Sequence, residues 1–171
     1  LKKAEALSKK YSDVPFFDDA EKMLNELYAD IVVICTTHDQ LPKLIRMAVT
    51  KGKHVLVEKP AARYAEEILD IVELSEKNKC KVRIGFNHRY HRVFRKAREI
   101  VDSGVMGDLY FIRARYGHGG RLGYNKEWRA NPAISGGGEL IDQGSHLIDL
   151  SRMFLGDFIH IEGHASTYFW E

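Results

Sequence analysis

Hydrophobic and polar residues alternate along the first half of the chain in two rhythms. Ile31-Val32-Val33-Ile34-Cys35 is an unbroken β-branched run, and His54-Val55-Leu56-Val57 and Val82-Arg83-Ile84-Gly85-Phe86 are shorter segments of similar character. Continuous runs of this kind predict strands covered on both faces, as in a parallel sheet. Between them lie stretches with helical spacing. Residues 42–50 open with Pro42 at a permitted first-turn position and close at Gly52, and residues 65–78 carry Ile68, Leu69, Ile71, Val72 and Leu74 on a broad apolar face. Upstream, Asp18-Asp19-Ala20-Glu21 has the capping-box form, followed by Met23, Leu24 and Leu27 at helical spacing. A βαβαβ order with short connections predicts an α/β fold of parallel strands joined by helical crossovers.

After Phe86 the rhythm changes. Residues 90–101 read as a basic helix, and residues 109–116 read as a strand in which Phe111 alternates with Arg113 and Arg115. Residues 117–138 are rich in glycine, arginine, asparagine and aromatics, and are too long for an idle connector, so a functional loop is expected there. Residues 139–154 read as a helix closed by Gly156, and residues 158–169 as the start of further strand. Residues 1–10 are helical in pattern but carry neither an initiator methionine nor a start signal, so the chain is expected to continue upstream.

Composition narrows the function classes. A chain of 171 residues, 44% hydrophobic and 29% charged, is globular in character and fills one core or parts of two domains. Lysine plus arginine number 26 against 24 for aspartate plus glutamate, which lacks the one-sided basic field of a nucleic-acid binder and favours a small-molecule substrate. The apolar runs are far shorter than a membrane span, and no leader pattern opens the chain. Cys35 and Cys80 lack the paired spacing of a zinc or redox site and are expected to be reduced and buried in a cytoplasmic protein.

In parallel α/β sheets, ligands sit beyond the carboxyl ends of the strands. Here those ends are Thr36-Thr37-His38, Glu58-Lys59-Pro60 and Asn87-His88-Arg89. Lys59, followed by a proline that favours extended backbone, is placed to enter such a cleft, although a lysine before a turn proline is by itself an ordinary surface feature. Asp142 and His146 stand four apart, a spacing that sets two side chains on one helix face, behind Gly136-Gly137-Gly138, where the backbone can pass close to a ligand or another element. An isolated pair of this kind more often serves as a structural hydrogen bond than as a site. Metal binding by His38, Asp142 and His146 would require three or four converging ligands, and only one adjacent pair can be placed, so no metal is expected.

The stretch 52–60 with its Glu58-Lys59-Pro60, together with Gly136-Gly137-Gly138-Glu139-Leu140-Ile141-Asp142-Gln143-Gly144-Ser145-His146, resembles the Gfo/Idh/MocA family of glucose-fructose oxidoreductases and inositol dehydrogenases. Gly85-Phe86-Asn87-His88-Arg89 and Trp128-Arg129 lie between these motifs, and the likeness covers nearly the whole chain. The resemblance implies a truncated Rossmann domain over residues 1–88, then the start of an α+β domain with a largely antiparallel open sheet over 89–171. It implies an NAD(P)-dependent oxidoreductase acting on a sugar or polyol hydroxyl, cytoplasmic and homo-oligomeric as a dimer or tetramer. By position, Lys59, Asp142 and His146 would be catalytic. Thr36, Thr37, His38, Glu58, Lys59, Asn87, Trp128 and Arg129 would meet the NAD or NADP cofactor. Arg89 and His118, with Lys59, Asp142 and His146, would meet the substrate. Two departures stand out: Leu41 replaces a histidine common in the family, and no Gly-x-Gly-x-x-Gly precedes the first strand, so the first βαβ unit is expected to lie outside this sequence. Two rival readings remain, an NAD-dependent glycoside hydrolase of the same family and a non-catalytic binding subunit.

Overall fold

The structure is a computed structural model, and it describes residues 1–117 and 121–166. Helix α1 (Lys2–Lys10) and helix α2 (Ala20–Glu26) precede a three-stranded sheet. The capping residue of α2 is Asp19, whose side chain accepts from the Lys22 amide, so the helix begins one residue later than a cap at Asp18 would set it. Strands β1 (Ile31–Ile34), β2 (His54–Val57) and β3 (Val82–Ile84) pair in parallel in the order β1-β2-β3, with Ile34 beside Val57 and Val57 beside Ile84. Helix α3 (Leu41–Thr50) and helix α4 (Glu66–Lys77) make the connections. Gly52, at φ 72°, provides the left-handed residue that turns the chain from α3 into β2.

The sheet is covered on one face. Ile34, Val55 and Val57 point into a core with Leu41, Ile45, Ala48 and Val49 of α3 and Ile71 of α4. Val33 is 63% exposed and Leu56 41% exposed on the opposite face, contrary to the expectation of strands covered on both sides. Successive strand residues point to opposite faces, and among the described residues the buried partners lie on one face alone. The apolar stripe of α4 is likewise narrower than its sequence suggests: Ile71 is buried while Leu69 and Val72 are exposed.

Helix α5 (Arg92–Asp102) follows a 3₁₀ turn at Asn87–Tyr90. Residues 109–116 form no strand, and Tyr110 and Phe111 are exposed. A strand needs a ladder partner for its backbone groups, and the described residues supply none there. The same holds for residues 158–166, while 167–169 lie outside the described residues. The expected antiparallel sheet is therefore not seen among the described residues. The long glycine-rich stretch instead folds into 3₁₀ turns at Tyr124–Lys126 and Trp128–Ala130 and the short helix α6 (Pro132–Ser135). The expected helix at 139–154 divides into a π-helical turn, Leu140–Gly144, and helix α7 (Ser145–Leu155). Gly144 fits within that turn because a Cβ there would meet Leu140 Cδ1 at 2.8 Å. No helix among the described residues is long and apolar enough to cross a membrane.

Candidate active site

The carboxyl ends of β1 and β2 open into a cleft of about 420 Å³ lined by Thr36, Thr37, His38, Glu58, Lys59, Trp128, Arg129 and Asp142, with Cys35 at its floor. Strand direction explains the first five residues, since parallel strands deliver their following loops to one edge. Cys35 is exposed rather than buried as expected, because it follows the buried Ile34 and so falls, with Val33 and Leu56, on the open face of the sheet. Cys80 is buried as expected.

Lys59 and Asp142 join the two halves of the molecule. The Lys59 Nζ donates to Asp142 Oδ1 at 2.6 Å and also to the Asp142 carbonyl, and each side chain is 13% exposed. Arg129 Nε lies 3.4 Å from Asp142 Oδ2, and its guanidinium sits 4.6 Å from the Trp128 ring centre. Burial would raise the Asp142 pKa, but the Lys59 hydrogen bond and charge, with Arg129, outweigh it and hold the carboxyl below its ordinary value. Asp142 thus bridges two cations.

His38 is buried against Trp128, with ring centres 4.8 Å apart, and its Nδ1 lies 2.8 Å from the Ser135 carbonyl. A carbonyl only accepts, so Nδ1 carries the proton and Nε2 is left as an acceptor. Burial lowers the His38 pKa more than the Ser135 bond raises it. The Ser135 carbonyl reaches His38 because the chain turns at Gly136, at φ 85°, where a Cβ would meet Arg63 Cβ at 2.7 Å. The glycine run serves a close approach to another element, one of the two uses its sequence allows.

His146 stands in a second, neighbouring pocket of about 290 Å³ with His88, His91, Phe94, Arg115, Tyr116, Leu147 and Leu150. Its ring is 6% exposed, and its Nδ1 is buried without a hydrogen-bond partner. Burial, then the His88 and Lys59 charges, push its pKa down to about 4, against smaller raising effects from Asp142 and Asp149. No hydrogen bond joins Asp142 to His146 among the described residues. Asp142, within the π-helical turn, is bonded to Lys59, whereas His146 packs against His88.

The remaining predicted residues fall outside these two groups. Asn87 Oδ1 lies 3.0 Å from His88 Nδ1, at the exposed rim below β3. Arg89 forms a two-pronged pair with Asp149 of α7, at 2.7 and 2.6 Å, which ties the turn after β3 to that helix. His118 lies outside the described residues. His88 was not singled out in the sequence. Chain order sets it at a strand end but gives no sign that it meets His146.

Two family profiles match: "Oxidoreductase family, NAD-binding Rossmann fold" over residues 1–86, and "GFO/IDH/MocA C-terminal domain" over residues 94–171. The chain belongs to the Gfo/Idh/MocA oxidoreductase family. It is 32% identical to D-glucoside 3-dehydrogenase of Escherichia coli K12 over 91% of this chain and 44% of that protein. To levoglucosan dehydrogenase of Pseudarthrobacter phenanthrenivorans it is 26% identical over 88% of this chain and 39% of that protein. A levoglucosan dehydrogenase structure in complex with NADH and levoglucosan superposes with a TM-score of 0.77 at 23% identity, covering 92% of this chain and 43% of that one, which establishes a shared fold. The chain spans less than half the length of these curated relatives. The matched residues of this chain include the parallel sheet, the Glu58-Lys59-Pro60 loop and the helix that bears His146.

Proposed function

We propose that the protein is an NAD(P)-dependent oxidoreductase that moves a hydride between a nicotinamide cofactor and a hydroxyl carbon of a sugar, sugar derivative or polyol. The observation that carries this reading is the largely buried Lys59 ammonium, held by Asp142 at the carboxyl edge of the sheet. Relatives named for glucoside and levoglucosan oxidation support a polyhydroxylated substrate. The cleft fits the nicotinamide end of such a cofactor. Its volume, the Thr36 hydroxyl, the Glu58 carboxylate and the flat Trp128 ring suit a ribose and an aromatic amide. When bound, the cofactor supplies the hydride acceptor or donor.

The chain's own residues manage the proton. Lys59, charged and pinned, donates to the substrate oxygen and stabilises charge that develops there. His146, its pKa lowered to about 4, is uncharged at neutral pH and is assigned the role of accepting the hydroxyl proton. Asp142 holds Lys59 in position rather than orienting His146. Thr36, Thr37, His38, Asn87, Trp128 and Arg129 complete the proposed cofactor contacts, and Arg89 and His118 the substrate side. We assign residues 1–88 to the cofactor-binding domain and 89–171 to a substrate and assembly domain, in a cytoplasmic homo-oligomer. The free thiols Cys35 and Cys80 fit such a reducing compartment.

The test uses the intact polypeptide with NAD or NADP and a panel of glucosides, anhydrosugars and inositols, followed by cofactor absorbance. Lys59→Ala is expected to lower kcat/KM by roughly 10²–10³-fold while dinucleotide binding, read by fluorescence, persists. Ordinary turnover by Lys59→Ala defeats the assignment. Product without net cofactor reduction would move the protein to redox-assisted glycoside hydrolysis.

A further inference from the structure

The second pocket contains a contact that the proposed proton transfer does not use. The His88 and His146 ring centres lie 3.9 Å apart with planes tilted by 42°, closer than the contacts of His146 with Phe86 and Tyr116 at 6.3 and 6.5 Å. His88 is fixed from its other side, since Asn87 Oδ1 lies within hydrogen-bond reach of its Nδ1 at 3.0 Å. An amide oxygen only accepts, so Nδ1 carries the proton of that bond and, in the neutral ring, Nε2 is the unprotonated nitrogen. The His146 ring, for its part, has a buried Nδ1 with no partner, so no hydrogen bond to that atom fixes the ring. Packing against His88 is the closest constraint the structure provides.

We propose that His88 is a positioning residue for the reaction: its ring, tethered by Asn87, fixes the orientation of His146 and disfavours a second proton on the pair. This deepens the reading of His146 as the acceptor and rests on it. Two imidazoles at this separation repel when both are charged, so the pair holds one proton far more readily than two. Other groups bear on His146 from every side. Lys59 after β2 opposes its protonation, Asp142 in the π turn and Asp149 on its own helix favour it, and His91 and Arg115 border the same pocket. His88 is the member of this set in ring contact with His146 that can itself lose its charge, and burial together with His91 and Lys59 lowers its own pKa.

The pair can be read directly in the intact polypeptide by histidine NMR, with His146→Gln identifying the His146 signal. His88→Phe keeps the packing surface and removes the charge, while His88→Arg makes the charge permanent. In His88→Phe the His146 titration is expected to move to higher pH by roughly half a unit or more, and the acid limb of kcat/KM with it. In His88→Arg both are expected to stay at or below their original positions. His88→Gln serves as a second neutral replacement should the Phe variant fold poorly. An unmoved His146 titration in the neutral variants overturns the proposal, as does equal behaviour of the Phe and Arg variants. If the titration moves but the kcat/KM limb does not, the coupling stands, and it is the choice of His146 as proton acceptor that fails.

Discussion

The half of the molecule before Phe86 and the half after it are held by different kinds of contact. Among the described residues, every buried apolar side chain except Leu150 lies between Leu24 and Cys80, packed between α2, α3, α4 and one face of the sheet. The later half buries Ser135, His146 and Asp149 instead. Its attachment to the sheet runs through polar contacts: His38 to the Ser135 carbonyl, Lys59 to Asp142 and Arg63 to the Ala133 carbonyl, while within the later half Arg89, in the turn after β3, pairs with Asp149 of α7. The first half therefore folds around apolar burial and the second is placed by directional bonds. Two of those bonds end in the cleft, so the groups that align the halves are among those proposed to do the chemistry.

The largest effect is expected from the apolar half. Ile45 is fully buried at the centre of α3, and Ile45→Ala leaves a cavity where the helix meets the sheet. The expected cost is about 2–5 kcal/mol, measured as a lower urea midpoint. A loss well under 1 kcal/mol would erase the contrast between the halves.

A second expectation sharpens the polar side through pH. An unfolded histidine takes up a proton near pH 6.5, whereas in the folded chain burial, His88 and Lys59 delay this at His146 until about 4. Between those values the unfolded chain binds more protons than the folded one, so stability is full above the upper value and falls as pH drops through the window. Across the whole window the loss amounts to roughly 3 kcal/mol, and the lowered pKa of His38 acts in the same direction. His146→Phe, which cannot titrate, should show a shallower decline between pH 6 and 4 in urea melts. Parallel declines in the two proteins would place the acid sensitivity elsewhere.

The two halves also differed in how far their sequence could be read. The strand runs at Ile31, His54 and Val82 and the sheet edge bearing Lys59 were legible because they depend on local periodicity and on a topological rule about parallel strands. The open outer face of β1 and β2 was not, since a β-branched run looks alike whether one face or both are covered. Residues 109–116 alternate as a strand should, yet pairing depends on a partner elsewhere in the chain. Asp142 and His146 were read as one helical face from their spacing, but spacing does not say which partners from elsewhere in the chain each side chain meets, and Lys59 takes the first while His88 packs on the second. The His88–His146 contact joins a strand end to a helix some 60 positions away, and nothing in linear order announces it.

The smallest effect, and the sharpest test of directional placement, concerns Arg89 and Asp149. The Asp149 carboxylate is nearly buried, whereas Arg89 keeps about a third of its side chain exposed, so the two ends of the pair respond differently to loss of the partner. Arg89→Met strands a buried carboxylate and is expected to cost about 1–3 kcal/mol. Asp149→Leu leaves a guanidinium that can turn to solvent and should cost less. Combining them replaces the pair with two apolar side chains, which is often close to neutral, so the double variant should recover most of the loss. A double-mutant cycle in urea would then yield a coupling energy of about 1–2 kcal/mol. Hydrogen exchange locates the effect: Arg89→Met should speed exchange in α7 while α3 and α4 keep their protection, because the apolar core does not touch this pair. Additive single effects, or faster exchange spread evenly over both halves, would mean that α7 is held by general packing and that the contrast drawn from the buried residues is wrong.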